Sequence, residues 1–149
     1  MIQTSIGNNF LNALFARGSS TYPLPTASQC WIGVSTTTPS LGPDGNITNF
    51  TEPASSTGYS RSRLGLNNAV SSYIMDEAEN SSITNGTNFI FFDEATTGGG
   101  GFGTVTYFGL FSAKTGGTPI LAGELTNSVT VNEGNVLIFR PNNFTISMD

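Results

Sequence analysis

The chain has 149 residues, of which 37% are hydrophobic and 10% are charged, and its formal net charge is −5 at pH 7. This length favours one domain with its own core over two full domains. The five basic residues form no cluster that could bind a phosphate backbone, and no apolar run reaches the length of a membrane span. We therefore expect neither a nucleic-acid partner nor a membrane partner. The chain has no histidine, which excludes a Ser-His-Asp mechanism.

The first predicted element is a short amphipathic helix over residues 9–17. It follows an Asn that can cap it and ends at Gly18, the residue type favoured just after a helix. Four apolar side chains share one face of this helix: Phe10, Leu11, Leu14 and Phe15. We predict that this face contacts the sheet or a neighbouring subunit, so residues 1–18 form an N-terminal helical arm.

The rest of the chain is typical of short strands separated by turns. Apolar runs of β type predict strands over residues 30–34, 59–64, 88–92, 104–111, 119–125, 128–131, 136–140 and 144–148. The two runs that flank the turn at 132–135 predict a β-hairpin. Eight or so short strands with one small helix indicate an all-β fold, either an antiparallel β-sandwich or a jelly roll, in a single domain of residues 1–149.

Two of these runs, 88–92 and 104–111, carry large apolar side chains on both faces. A sandwich buries one face of each sheet, so strands of this kind need cover on their second face. For 104–111 we expect that cover to come from the N-terminal helix or from another subunit. We therefore expect three residues of the second run to join the helix in oligomer or docking contacts: Tyr107, Phe108 and Phe111.

Residues 35–60 are rich in Ser, Thr, Gly and Pro, and we predict a long exposed loop there. Loops of this length in a compact domain are usually functional or poorly ordered. Five of its residues are candidates for binding a ligand such as a cell-surface glycan: Asp44, Asn46, Asn49, Phe50 and Glu52. Just beyond the loop, Arg61 and Arg63 would share one face of a strand. We expect a solvated edge there, with a contact to an acidic loop of another subunit as the alternative.

The remaining candidates for chemistry are the acidic groups at 76–79 and 93–94 and the glycine run at 98–103. Paired carboxylates such as Asp76 and Glu79 could bind Ca²⁺ or hydrolyse a glycosidic bond, but neither acidic group has the spacing of an EF-hand. The glycine run precedes a strand, whereas a phosphate-binding loop leads into a helix. We therefore expect solvated charges and a flexible turn, with no catalytic residue, no cofactor and no metal.

Several segments resemble a family of small bacteriophage virion proteins. Residues 30–39, CWIGVSTTTP, are similar to the opening YVGLSTTTP of that family. Residues 52–53 and 58–61, EP and GYSR, are similar to its pattern EP…GYAR. Residues 88–96, NFIFFDEAT, and 103–111, GTVTYFGLF, are similar to N…ItFpeAT and GtvthfGiFDA. The resemblance spans nearly the whole chain in the same order.

The resemblance implies a non-enzymatic structural protein of the virion, assembled in the cytoplasm of the bacterial host. Members of the family are commonly labelled tail fibre, minor tail or head-decoration proteins. Because the chain lacks the long shaft of a fibre, we expect a capsid decoration or cement protein that oligomerises on the particle. The alternative is a tail-fibre or baseplate module that binds a receptor glycan. Its partners would be copies of itself and the major capsid, tail or baseplate proteins.

Overall fold

The computed structural model describes residues 1–4, 30–64, 74–76, 79–80 and 82–147. Within these ranges it contains one 3-10 turn at Ser55–Thr57 and ten strands. The strands are β1 (Trp31–Ser35), β2 (Ser40–Leu41), β3 (Ile47–Thr48), β4 (Ser62–Arg63), β5 (Ser82–Thr84), β6 (Ile90–Glu94), β7 (Gly103–Phe111), β8 (Leu121–Val131), β9 (Val136–Phe139) and β10 (Thr145–Ser147). Every strand pair is antiparallel. The predicted all-β, antiparallel class is confirmed, whereas the helix predicted over 9–17 lies outside the described residues.

The largest sheet has four strands in the order β4–β1–β7–β8. Its longest strands are rich in β-branched and aromatic residues, which fit a pleated surface that is covered on one side. In the central pair, Val34 of β1 lies opposite Phe108 of β7, and Gly33 lies opposite Gly109. Both ends of β8 pair with β7, but the register of pairing shifts between the two paired parts. Residues 125–128 of β8 therefore bulge out of the ladder.

The second layer is a two-stranded ribbon of β6 and β9. Phe91 lies opposite Ile138 in this ribbon, and Glu94 lies opposite Val136. Two smaller pairs complete the described structure: β5 with β10, and β2 with β3. Neither β5 nor the β2–β3 pair is among the predicted strands, because their sequences are short and polar.

β9 does not form the predicted hairpin with the end of β8, so that prediction is wrong. The backbone N–H of Ala95 donates to the carbonyl of Asn135 at 2.9 Å, and the N–H of Gly134 donates to the carbonyl of Ala95 at 2.7 Å. These two bonds attach the turn at 132–135 to the end of β6. The chain therefore passes from the first layer to the second at this turn, and β9 pairs with β6 instead.

The core lies between the four-stranded sheet and the β6–β9 ribbon. Its buried side chains come from both layers and from the segments that join them: Ile32, Val34, Tyr59, Leu64, Ile90, Phe92, Ala95, Phe102, Val105, Phe108, Val131, Leu137 and Phe144. Phe108 of β7 meets Phe144 edge to face, with 4.9 Å between ring centroids. The two antiparallel layers thus enclose one apolar core in the manner of a sandwich. Cys30 is half-buried against this core.

The polar side chain of Asn85 is fully enclosed beside the core. Its Nδ2 donates to the backbone carbonyls of Asn88 at 2.6 Å and Arg140 at 2.9 Å. Its Oδ1 accepts the backbone N–H of Phe144 at 3.1 Å. Because every polar atom of this side chain has a partner, its burial leaves no hydrogen bond unmade. Asn85 therefore ties the loop before β6 to the loop between β9 and β10.

The face of β7 that points away from this core is covered at Gly109 and Phe111 by the same chain. Phe111 is buried, and it meets the ring of Phe50 edge to face with 5.5 Å between centroids. Phe50 also lies against Gly109, where an added Cβ would come within 2.8 Å of its ring. The sequence leads us to expect the N-terminal helix or another subunit as the cover. The segment between β1 and β4 provides it instead, because the paired Gly33 and Gly109 leave a hollow in the sheet.

Candidate functional site

A largely buried ion pair joins Glu52, whose side chain is 24% exposed, to Arg61. The Nε of Arg61 donates to Glu52 Oε1 at 2.9 Å and its Nη2 donates to Oε2 at 2.6 Å, so the pair is bidentate. Its Nη1 donates to the backbone carbonyls of Ala113 at 2.9 Å and Gly116 at 2.8 Å. The guanidinium carbon lies 3.3 Å from the centroid of the Phe111 ring. Arg61 is only 5% exposed, and it connects the segment before β4 to the loop after β7.

Tyr59 completes this group, which we term the Arg61 cluster (Glu52, Tyr59 and Arg61). The Tyr59 hydroxyl accepts the backbone N–H of Val34 at 3.0 Å and donates to Glu52 Oε1 at 2.8 Å. Burial, and then the nearby charge of Glu52, raise the pKa of Tyr59 far above its ordinary value, so the hydroxyl stays protonated. Gly33 gives the cluster its space, because an added Cβ would lie 2.6 Å from Glu52 Oε1 and 2.9 Å from the Tyr59 hydroxyl.

The expectation of a solvated edge at Arg61 is wrong, because its guanidinium is buried against the carboxylate of Glu52 nine residues away. Glu52, one of the predicted binding residues, is half-buried in this pair. A signal was present in the sequence, because residues 52–53 and 58–61 both belong to segments that carry the resemblance to virion proteins. Arg63 lies on β4 with its guanidinium 5.7 Å from the Trp31 ring centroid.

The segment 35–60 is organised by the β2–β3 hairpin and the 3-10 turn. At the hairpin tip, Asp44 accepts the Nδ2 of Asn46 at 2.6 Å and its backbone N–H at 3.0 Å. These hydrogen bonds from Asn46, first the side chain and then the backbone, lower the pKa of the Asp44 carboxyl. Asn49 has a positive φ of 60° and donates through Nδ2 to the carbonyl of Thr38 at 2.7 Å. Of the predicted binding residues, Asp44 and Asn49 are exposed and Asn46 is half-buried.

The residues predicted for oligomer or docking contacts do not form one surface in the described structure. Outside the described residues lie Phe10, Leu11, Leu14 and Phe15. Phe108 belongs to the core and Phe111 lies beneath Arg61, so both are covered by their own chain. Tyr107 is half-buried and lies opposite Ser35 in the sheet.

The acidic residues are spread over separate places. Asp76 and Glu79 are exposed and line an open cavity of about 450 Å³ together with Asn80, Ser82 and Thr84. Asp93 accepts a hydrogen bond from the Ser60 hydroxyl at 2.5 Å. Within the described part of the chain, no three acidic or thiol side chains come together where they could hold a metal ion.

The glycine run after β6 is held in place by a carboxylate. Glu133 Oε1 accepts the backbone N–H of Gly100 at 2.7 Å. Hydrogen bonds from the backbone of Gly98 and then of Gly100 lower the pKa of Glu133. The run therefore serves as a turn, as predicted, and its backbone donors are directed to this side chain of the same chain.

Exposed apolar side chains are concentrated on and beside the β6–β9 ribbon. Of the eight large ones among the described residues, three lie on its strands (Phe91, Val136 and Ile138), Phe89 precedes β6, and Val129 lies on β8. Phe89 and Phe91 stack with 5.4 Å between ring centroids, and Phe91 is 55% exposed. Val136 and Ile138 on β9 are also exposed, though less than Phe91. With Val129 they line a groove of about 670 Å³ between β9 and the bulge of β8. The sequence predicts cover on both faces of 88–92, whereas the described residues cover only the inner one.

These features define a small antiparallel β-sandwich. The ion pair of Glu52 and Arg61 has its hydrogen-bond partners within the same chain, and the second layer has an apolar outer face. Apolar outer faces of this kind are typical of proteins that assemble with others. None of the helical residues in the described ranges forms a span long and apolar enough to cross a membrane.

A comparison with known protein families identifies the class of protein to which this chain belongs. The family model described as "Podophage GP4 fiber I protein gp80" matches residues 1–147. The chain belongs to this family, and it is a structural protein of the phage virion. A search of curated proteins gave no match. The resemblance to phage virion proteins is therefore confirmed, and the fibre family favours the tail-fibre alternative over capsid decoration.

Proposed function

We propose that this chain is a structural subunit of a podophage tail fibre, where it associates with copies of itself and with other virion proteins. The observation that carries the proposal is the match to a fibre family over residues 1–147. The structure supports a role in assembly, because its exposed apolar side chains are concentrated on one ribbon. The expectation of capsid decoration rests on the absence of a long shaft. A short chain is compatible with a fibre when several subunits together build the fibre.

We also propose that the protein performs no catalysis. A carboxylic acid that donates a proton near neutral pH needs an environment that disfavours its charged form, such as an apolar pocket. Asp76 and Glu79, the pair considered for glycoside hydrolysis, are exposed beside an open cavity. Glu52 is engaged by Arg61 and Tyr59.

The position of the protein on the virion tests the fibre proposal. Gold-labelled antibody fragments raised against the purified protein are expected to mark the tail end of intact particles in electron micrographs. Fragments pre-absorbed with the purified protein serve as the control and should leave the particles unmarked. Labels distributed over the head would contradict the proposal and would favour capsid decoration.

Receptor binding by the β2–β3 hairpin is a second candidate function, and its geometry supports it. The hairpin exposes a carboxylate at Asp44 and an amide at Asn49, which are groups that bind the hydroxyls of a glycan. The segment that follows the hairpin is fixed to the sheet by Phe50 and by the Arg61 cluster. The hairpin is thus presented on a rigid base, as binding loops usually are.

Competition for adsorption tests the receptor proposal. Purified protein should slow the adsorption of phage to host cells. Asp44→Ala is expected to need at least about tenfold more protein for the same effect, because a hydrogen bond to a charged group contributes about 1.5–3 kcal/mol. The control is the double variant Asp76→Asn with Glu79→Gln, which should compete like the unaltered chain. Equal competition by Asp44→Ala would show that the hairpin tip does not bind the receptor.

A further inference from the structure

We propose that the outer face of the β6–β9 ribbon is the contact between two copies of this chain. The two ribbons pack face to face about a two-fold axis and run antiparallel. This inference deepens the proposed function and rests on the self-association proposed there. The four exposed apolar side chains of the ribbon, Phe89, Phe91, Val136 and Ile138, are termed the apolar strip.

The register of the ribbon places the strip on one face. Residues directly opposite each other in an antiparallel pair point to the same side, and Phe91 lies opposite Ile138. Glu94 lies opposite Val136, and the register shift between Phe91 and Glu94 brings both onto that side. Leu137, between the two exposed residues of β9, is buried in the core. The outer face is therefore apolar in its middle and acidic at the end that Glu94 occupies.

The size of the strip matches the centre of an ordinary interface. Its four side chains are between 40% and 55% exposed. Together they present on the order of 400 Å² of exposed apolar surface. This area is within the range of the largest exposed apolar patch on a typical monomer, and such patches are often functional. A stable interface of standard size buries about 800 Å² on each partner, and somewhat more than half of that area is apolar. The strip accordingly supplies the apolar part of such a contact, and the residues around it supply the polar rim.

The charges at the two ends of the strip are complementary to each other, which identifies a second copy as the partner. Glu94 lies beside Val136 at one end, and Arg140 follows β9 at the other. The two ends are four residues apart along β9, or about 13 Å. Glu94 and Arg140 are both exposed, and in the described part of the chain the one ion pair is that of Glu52 with Arg61. A two-fold axis through the middle of the strip brings each Arg140 to the Glu94 of the other copy.

Charge reversal at the two ends tests this arrangement. By sedimentation equilibrium at low salt, Arg140→Glu and Glu94→Arg are each expected to raise the dimer dissociation constant at least about tenfold, because each homodimer then contains two like-charge contacts. When the two variants are mixed in equal amounts, they are expected to associate with each other about as tightly as the unaltered chain does. Both contacts in the mixed pair join opposite charges, so recovery on mixing excludes a folding defect as the cause of the loss.

Two controls accompany the mixing experiment. Lys114→Glu makes the same change of charge outside the ribbon, and Leu41→Thr shortens an equally exposed apolar side chain on β2. Neither should alter the dissociation constant, whereas Ile138→Thr should raise it. Two results would overturn the strip as the contact and leave the proposed self-association intact. One is a mixture of the two charge variants that stays monomeric. The other is an oligomer whose dissociation constant none of the ribbon variants raises. An unaltered chain that is monomeric at about 100 μM, far above the dissociation constants of specific complexes, would overturn both.

Discussion

Replacement of Arg61 by methionine is expected to lower the free energy of unfolding by about 3–5 kcal/mol, the usual cost of removing one partner from a buried ion pair. The carboxylate of Glu52 would remain largely enclosed without its counter-charge. The carbonyls of Ala113 and Gly116 would also lose their donor. Methionine keeps an apolar side chain over Phe111. The loss of unfolding free energy therefore measures the removal of the charge and the hydrogen bonds rather than the creation of a cavity.

Denaturant unfolding followed by circular dichroism measures this loss, which corresponds to a melting temperature lower by roughly 10 °C for a domain of this size. The matched control is Lys114→Met, which removes an exposed cation and should change stability by less than about 0.5 kcal/mol. The double variant Glu52→Met with Arg61→Met should regain part of the loss, because no unpaired charge is left buried. An Arg61→Met protein as stable as the unaltered chain would show that the cluster contributes nothing.

Replacement of Phe108 by alanine is the second change with a large expected effect. Phe108 packs against Phe144 in the core, and its ring lies so close to Gly123 that an added Cβ there would be 2.7 Å from it. Truncation of a buried phenylalanine costs about 3–5 kcal/mol through lost burial and the cavity left behind. The same unfolding experiment measures it, and a smaller change than about 1 kcal/mol would mean that the two layers close over the gap.

Phe91→Ala is the matched control for Phe108→Ala, because it makes the same truncation on the outer face of the ribbon. Phe91 is 55% exposed and outside the core, so its loss should change the stability of a dilute sample by less than about 1 kcal/mol. The comparison requires a protein concentration below that of self-association, since binding of a partner adds to apparent stability. Equal losses for the two variants would contradict the assignment of inner and outer faces.

The strands of the central sheet could be predicted from the sequence, because burial and β propensity act on them in the same direction. The runs at 30–34 and 104–111 each contain enough apolar and β-branched residues to be recognised alone. The pairing of β9 could not be predicted. The turn at 132–135 has the residues of a hairpin, but its partner is chosen by bonds to Ala95, which is distant in the sequence.

The Arg61 cluster could not be predicted for a related reason. Charged residues are seldom buried unless they are paired, so an arginine in a polar segment is most simply assigned to the surface. Its burial depends on Glu52, on two loop carbonyls and on the hollow above Gly33, none of which a local pattern reveals. The outer face of the ribbon is the opposite case. The apolar run at 88–92 predicts cover on both faces, but the pattern does not identify which chain supplies the outer cover.

The Arg61 cluster also bears on how the protein responds to heat. The free energy of removing charged groups from water becomes less unfavourable as temperature rises, because the hydration of ions carries a strongly negative entropy. The enclosed pair of Glu52 and Arg61, with its additional bonds to Tyr59 and to two carbonyls, therefore contributes more to stability near the melting temperature than at 25 °C. A particle that persists outside its host gains most from such a cluster in warm surroundings, where the margin against unfolding is smallest.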